Sequence, residues 1–206
     1  MTDPIRDSYL TFDAPCAHEI KVKDSRFIAL GYPVSSEKSA SEILSTVRKK
    51  EYAASHHCFA YVLAPDGKRF KYSDDGEPSG TAGRPIYQAI TGANLFDVMI
   101  VVVRYFGGTK LGTGGLTRAY AQAAEDLLRR ARIVETLLCD RLRFTISFSV
   151  YDRISKLVNR GGYQVVSQDF TDLVTMQIDV RKSRTAEVIA ELTELTGGRI
   201  DVTING

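Results

Sequence analysis

Two short runs hold most of the residues whose types and spacing could do chemistry. In Ser73-Asp-Asp-Gly-Glu-Pro-Ser-Gly-Thr-Ala-Gly-Arg-Pro85, the carboxylates of Asp74, Asp75 and Glu77 stand within four positions. Such a cluster could hold a hard divalent cation or supply a general acid and base. It could equally be an acidic turn whose oxygens accept backbone N–H bonds and pair with Arg84 or Arg104. Ser79 and Thr81 add hydroxyls to the turn, but no base beside them defines a nucleophile. In Arg104-Tyr-Phe-Gly-Gly-Thr-Lys-Leu-Gly-Thr-Gly-Gly-Leu-Thr-Arg118, the cations Arg104, Lys110 and Arg118 surround five glycines, Gly107, Gly108, Gly112, Gly114 and Gly115. Gly114 and Gly115 fall where a helix is expected to begin, so free N–H groups, a helix dipole and positive side chains could act together on one phosphate or other anion. The alternative is that glycine is needed only where strand ends and a helix pack closely.

The spacing excludes two common nucleotide sites. From Gly107 the run reaches Gly112 and continues into Thr113, without the GK[ST] of a triphosphate loop, and Gly112-Thr-Gly-Gly-Leu-Thr does not match GxGxxG. His56 and His57 are adjacent in an expected strand and so face opposite sides, which prevents easy ligation of one metal by both. One of them is expected to face the glycine loops; a hydrogen-bonded structural role is the other reading. Tyr105, Phe106 and Tyr120 could stack on nucleobases. Phe106 suits a core as well, whereas Tyr105 beside Arg104 has the better claim to exposure.

The elements that must position these groups follow from periodicity. Tyr9–Phe12, His18–Lys23 and Arg26–Val34 alternate as antiparallel strands. Ser36 is placed to cap a helix over Glu37–Lys50, with Ala40, Ile43, Leu44 and Val47 on one face. A strand over His57–Ala64, a hairpin turn at Pro65-Asp-Gly67 and a return over Arg69–Tyr72 lead into the acidic run. A helix over Gly83–Ile90 starts at Arg84-Pro85. The apolar run Asp97–Val103 has the character of a strand buried on both faces, and it ends at the second glycine run, before a helix over Leu116–Ala131. Beyond a boundary near Ile133–Thr136 the pattern restarts: strand Arg141–Val150, helix Tyr151–Arg160, strands Tyr163–Phe170 and Leu173–Arg181, helix Thr185–Leu195 and strand Arg199–Ile204. This βαββαβ order is the ferredoxin-like unit.

Composition narrows the class. A chain of 206 residues, 44% hydrophobic and 25% charged, is ordinary for a globular protein, and its formal net charge of +2 gives no overall field for nucleic acid. Any basic site is local. No apolar run has the length of a membrane span, and the start resembles no signal peptide, so a cytoplasmic protein without membrane association is expected. Cys16, Cys58 and Cys139 form no CxxC pair and suit reduced, partly buried roles. No cofactor or metal is expected.

At Ala54-Ser-His-His-Cys58, Ser73–Gly83 and Val103–Tyr120 the sequence closely resembles the IMPACT family, in particular its bacterial YigZ-type members. The resemblance covers about residues 20–135 and holds at His56, Asp74, Asp75, Glu77, Arg104, Gly107, Gly108, Gly112 and Gly115. It implies an α+β protein of two domains. Residues 1–135 would form an IMPACT-type domain like domain 2 of ribosomal protein S-five, the fourth domain of elongation factor G and the GHMP kinases. Residues 136–206 would form a ferredoxin-like βαββαβ domain like the fifth domain of that factor. The resemblance implies eukaryotic relatives that regulate translation by competing for a protein partner of a kinase through an additional N-terminal domain; no such domain is expected in this sequence, so that role is not carried over to it. The first functional reading is a non-enzymatic RNA- or ribosome-binding regulator of translation, whose glycine loop takes phosphates while Tyr105 contacts sugar or base. An enzyme acting on a phosphorylated small molecule through Asp74, Asp75 or Glu77, and an interaction module docking a protein of the translation apparatus, are the alternatives.

Overall fold

The computed structural model describes residues 7–64 and 67–205. Pro65 and Asp66 of the expected hairpin turn lie outside the described residues. Along the first part run β1 (Ser8–Phe12), β2 (Cys16–Val22), β3 (Ser25–Pro33), α1 (Glu37–Lys50), β4 (His56–Val62), β5 (Phe70–Ser73), α2 (Gly83–Gly92), β6 (Val98–Tyr105), α3 (Gly112–Arg130) and β7 (Ile133–Leu137). The second part adds β8 (Cys139–Ile146), α4 (Phe148–Gly161), β9 (Gln164–Phe170), β10 (Val174–Arg181), a 3-10 turn, α5 (Thr185–Leu195) and β11 (Val202–Asn205). The chain divides into two compact units, one spanning Tyr9–Thr136 and the other formed by the residues from Leu137 onward with Asp7 and Ser8.

The first unit is built on an antiparallel sheet in the order β2-β3-β6-β4-β5. Its central strand is covered on both sides. Even-numbered residues of β6, Val98, Ile100 and Val102, join the core formed with Ile86 and Ile90 of α2 and Leu116, Ala119, Ala123 and Leu127 of α3. Odd-numbered Met99, Val101 and Val103 pack with Ala40 and Val47 of α1. Two-sided burial explains why this strand lacks alternation although its partners are antiparallel. α1 begins as the sequence predicts: Ser36 Oγ accepts from Ser39 N, and the Ser39 side chain returns a bond to the Ser36 N–H. β1 and β7 form a separate two-stranded sheet.

The register brings one end of the sheet together. Arg104 of β6 lies opposite Phe27 of β3 and His56 of β4, and Ser73 of β5 lies opposite Phe59. The β2–β3 turn, the loops into α2 and α3, and both of those helix N-termini therefore collect at this edge.

The second unit has the βαββαβ order, with strands arranged β11-β8-β10-β9. Leu142, Phe144, Met176, Ile178 and Val180 pack on Ile154 and Val158 of α4 and Val188 and Leu192 of α5. The expected strand to Val150 is shorter than read: β8 stops at Ile146 and α4 starts at Phe148, because the Ser147-Phe148-Ser149 alternation continues the strand pattern into a helix. The last strand likewise begins at Val202 rather than Arg199. α3 starts four residues before the Leu116 expected from its apolar stripe, so Gly112–Gly115 form its first turn. Among the described residues no helix is long and apolar enough to cross a membrane.

Candidate nucleic-acid interface

The acidic turn is held by its own carboxylates. Asp74 Oδ1 accepts from the Ala82 and Gly83 N–H groups at 2.9 and 2.8 Å, and Oδ2 accepts from Gly80 N at 2.8 Å. Asp74 thus supplies to α2 the cap that Ala82, without a polar side chain, cannot provide. Gly83 is required because a Cβ there would stand 2.7 Å from the backbone of Ser73. Asp75 sits at φ +43° and ties the turn to two elements, accepting from His57 N at 2.7 Å and from the Arg48 guanidinium of α1. Thr81 is buried and its hydroxyl donates to Pro78 O, whereas Ser79 and Arg84 are exposed.

Glu77 turns inward. Its side chain is 4% exposed, and Oε1 accepts from Arg104 Nη1 at 2.6 Å and from the Tyr120 hydroxyl at 2.8 Å. Arg104 is itself buried, its Nη2 reaches Ser25 Oγ at 3.4 Å, and its Nε has no acceptor among the described residues. Cys58 lies against Tyr120 Oη and Asp74 O at 3.4 and 3.0 Å. Burial pushes its thiol up to about 12 and raises the Tyr120 hydroxyl well above its ordinary value, so both remain protonated at neutral pH. His56 Nδ1 donates to Asp75 O at 2.8 Å, leaving Nε2 3.9 Å from Glu77 Oε1. The network joins the two runs picked out in the sequence through one buried ion pair.

Three expectations change here. Arg104 does not lie open on the glycine loop; as an even-numbered residue of β6 it faces the α2–α3 core, where Glu77 offsets its charge. Tyr105 occupies the opposite face, donating to Glu51 Oε2 at 2.7 Å under the Arg26 guanidinium, so it does not share a surface with that core. Tyr120 is fully buried and presents no ring to a base. His57 also faces away, with Nε2 donating to Glu51 O.

What remains open is the loop and the start of α3. Phe106 is 48% exposed beneath the Arg104 guanidinium at 5.4 Å, and Lys110, Thr113, Gly114 and Arg118 are exposed. Lys110 and Arg118, like Arg84, have no charged partner among the described residues. The glycines divide into two kinds. Gly107 is a packing glycine, since a Cβ would lie 1.9 Å from Asp24 O, and Gly115 is close to Leu111 Cβ at 3.1 Å. A Cβ at Gly108, Gly112 or Gly114 would meet open space or only the end of the Arg118 side chain, and the first two adopt φ of +95° and +72°. The first turn of α3 carries no acidic residue and its Leu111 N-cap makes no side-chain bond, so its N–H groups face outward unmatched by a cap. Sequence reasoning missed the β2–β3 turn, where Ser25 Oγ accepts from Gly107 N and Asp24 accepts from Thr109 Oγ1 at 2.6 Å. These partners lie more than eighty positions away, and no local pattern marks them.

The comparisons with known proteins cover both units. The model of the Impact N-terminal domain matches residues 23–128, and that of a domain of unknown function, DUF1949, matches residues 144–199. The Bacillus subtilis IMPACT family member YvyE is 34% identical, with 95% of this chain and 90% of the relative covered. The Escherichia coli IMPACT family member YigZ is 30% identical, with 95% and 97% covered. A crystal structure described as that of a hypothetical protein is 29% identical and superposes with a TM-score of 0.74 over 98% of this chain and 99% of its own. Near-complete coverage in both directions, together with the domain match across the acidic turn and the glycine loop, makes this chain a member of the IMPACT family.

Proposed function

We propose that this protein is a non-enzymatic RNA-binding protein that acts on RNA or the ribosome, and thereby on translation, through the edge formed by residues 106–118. The observation that carries this reading is the uncapped, glycine-opened first turn of a 19-residue helix beside the unpaired cations Lys110 and Arg118. Outward N–H groups and two nearby positive side chains match backbone phosphates, and they carry no sequence preference of their own. The translation link rests on the family resemblance, and the βαββαβ order of the second unit supports the implied likeness to the fifth domain of elongation factor G.

The acidic turn supports a binding protein over a phosphate-processing enzyme. Asp74 is committed to three backbone donors, Asp75 to Arg48 and His57, and Glu77 to Arg104 and Tyr120. Each acid thus has a structural duty in the fold. The test is co-sedimentation of the purified protein with ribosomal subunits and filter binding of ribosomal RNA, comparing wild type with Lys110→Ala and Arg118→Ala. Weaker binding by both variants at unchanged melting temperature supports the reading; equal binding by all three removes the loop from it.

A further inference from the structure

A second surface lies on β5, two strands from β6 in the same sheet. β5 is the outermost strand of the five-stranded sheet, and Phe70 and Tyr72 stand on its α2 side, opposite Val62 and Ala60 of β4. They are 46% and 43% exposed. Tyr87 of α2 meets both, with centroid separations of 4.8 Å to Phe70 and 5.6 Å to Tyr72 and interplanar angles of 31° and 37°. Phe70 and Tyr72 are themselves within 11° of parallel. Phe70 and Tyr72 thus present two nearly parallel exposed rings as an aromatic platform, backed by the half-buried Tyr87, which itself packs on the α2–α3 core.

We infer that this platform stacks the unpaired bases of single-stranded RNA whose phosphates run along the edge described above, an inference that rests on the RNA-binding reading. Reach is compatible with it. Tyr72 pairs with Ala60 and Phe70 with Val62, so the rings stand level with Ile100 and Val98 of β6, and the roughly 13–20 Å along the strands to the level of Arg104 is a span that several nucleotides of extended RNA cover. Charge supports it as well. Arg84 is exposed on the first turn of α2, without a charged partner among the described residues, and one helical turn before Tyr87, which places a phosphate ligand beside a ring. Stacking on exposed aromatic rings beside cations tolerates any base and requires bases that are not paired. The platform therefore selects single-stranded over duplex RNA, a property that the phosphate contacts of Lys110 and Arg118 do not provide.

The experiment measures fluorescence anisotropy of a labelled oligouridylate and of a labelled RNA duplex with wild type, Tyr72→Ala, Tyr72→Phe, Phe70→Ala and Lys110→Ala, each checked for an unchanged melt. Each ring removed is expected to weaken oligouridylate binding by roughly 5- to 150-fold while leaving duplex binding and the salt slope unchanged. Tyr72→Phe retains the ring and should bind as wild type. Lys110→Ala should weaken both RNAs and lower the slope. If Lys110→Ala behaves so while the ring variants bind oligouridylate as wild type, the platform is overturned and the RNA-binding reading stands. If wild type binds neither RNA, both fall. Binding of a peptide or of a second copy of the chain that is lost in Tyr72→Ala, with oligouridylate unaffected, assigns the rings to another partner and overturns the inference.

Discussion

Glu77→Ala should be among the most damaging single substitutions in the first unit. It removes the counter-charge from an Arg104 guanidinium whose side chain is 6% exposed, and it takes the acceptor from a fully buried Tyr120 hydroxyl. Breaking one side of a buried ion pair costs about 3–5 kcal/mol, because the remaining charge stays desolvated. A unit of about 130 residues has an unfolding entropy near 0.27 kcal/mol/K at roughly 2.1 cal/mol/K per residue, so the melting temperature should fall by roughly 10–20 °C. Calorimetry gives the transition directly, and a double replacement, Glu77→Leu with Arg104→Met, separates the charge from the packing. The double variant should recover much of the loss, since an apolar pair of similar volume is often as stable as the ion pair it replaces. A drop of less than about 3 °C in Glu77→Ala, or a double variant no better than the single, would refute the claim that this pair holds the acidic turn to the sheet.

Three further outcomes follow from the same geometry. Gly107→Ala should destabilise the first unit because its Cβ collides with Asp24 O, whereas Gly114→Ala should stabilise α3 by about 0.5–1 kcal/mol and yet weaken RNA binding; paired melts and binding curves check both. Asp75→Asn should lower the melting temperature by weakening the charged bonds to Arg48 and His57, with no magnesium dependence in either protein, as thermal melts with and without the ion would show. Cys58 holds its proton to about 12 in the fold and to an ordinary value of 9.0 when unfolded. Its contribution is therefore complete below pH 9 and lost as pH rises toward 12, with Tyr120 acting in the same direction; melts across that range should fall less steeply in Cys58→Ala.

The parts of the fold that local pattern controls were legible in the chain. α1 follows from a cap and an apolar stripe, β6 from a continuous apolar run, and the second unit from the alternation of its elements. The candidate site was legible as two runs but not as a surface. Sequence shows that Arg104 and Tyr105 are neighbours, while the pleat of β6 sends one into the α2–α3 core and the other toward α1. Nor does spacing distinguish Gly107, which needs its hydrogen to pass Asp24, from Gly114, which touches almost nothing. That difference depends on the β2–β3 turn, brought beside the loop only by the pairing of β3 with β6. The aromatic platform escaped for the same reason, because Tyr87 joins Phe70 and Tyr72 across fifteen or more positions.

Whether the loop and first turn of α3 take RNA phosphates is decided by the salt dependence of binding. The affinity of wild type, Lys110→Ala, Arg118→Ala and the double variant for single-stranded RNA would be measured across a potassium chloride series. Each phosphate contact contributes about 0.7 to the slope of log affinity against log salt. The slope should fall by about that amount in each single variant and by about twice as much in the double variant, at unchanged stability. Identical slopes in all four proteins would mean that neither cation meets a phosphate.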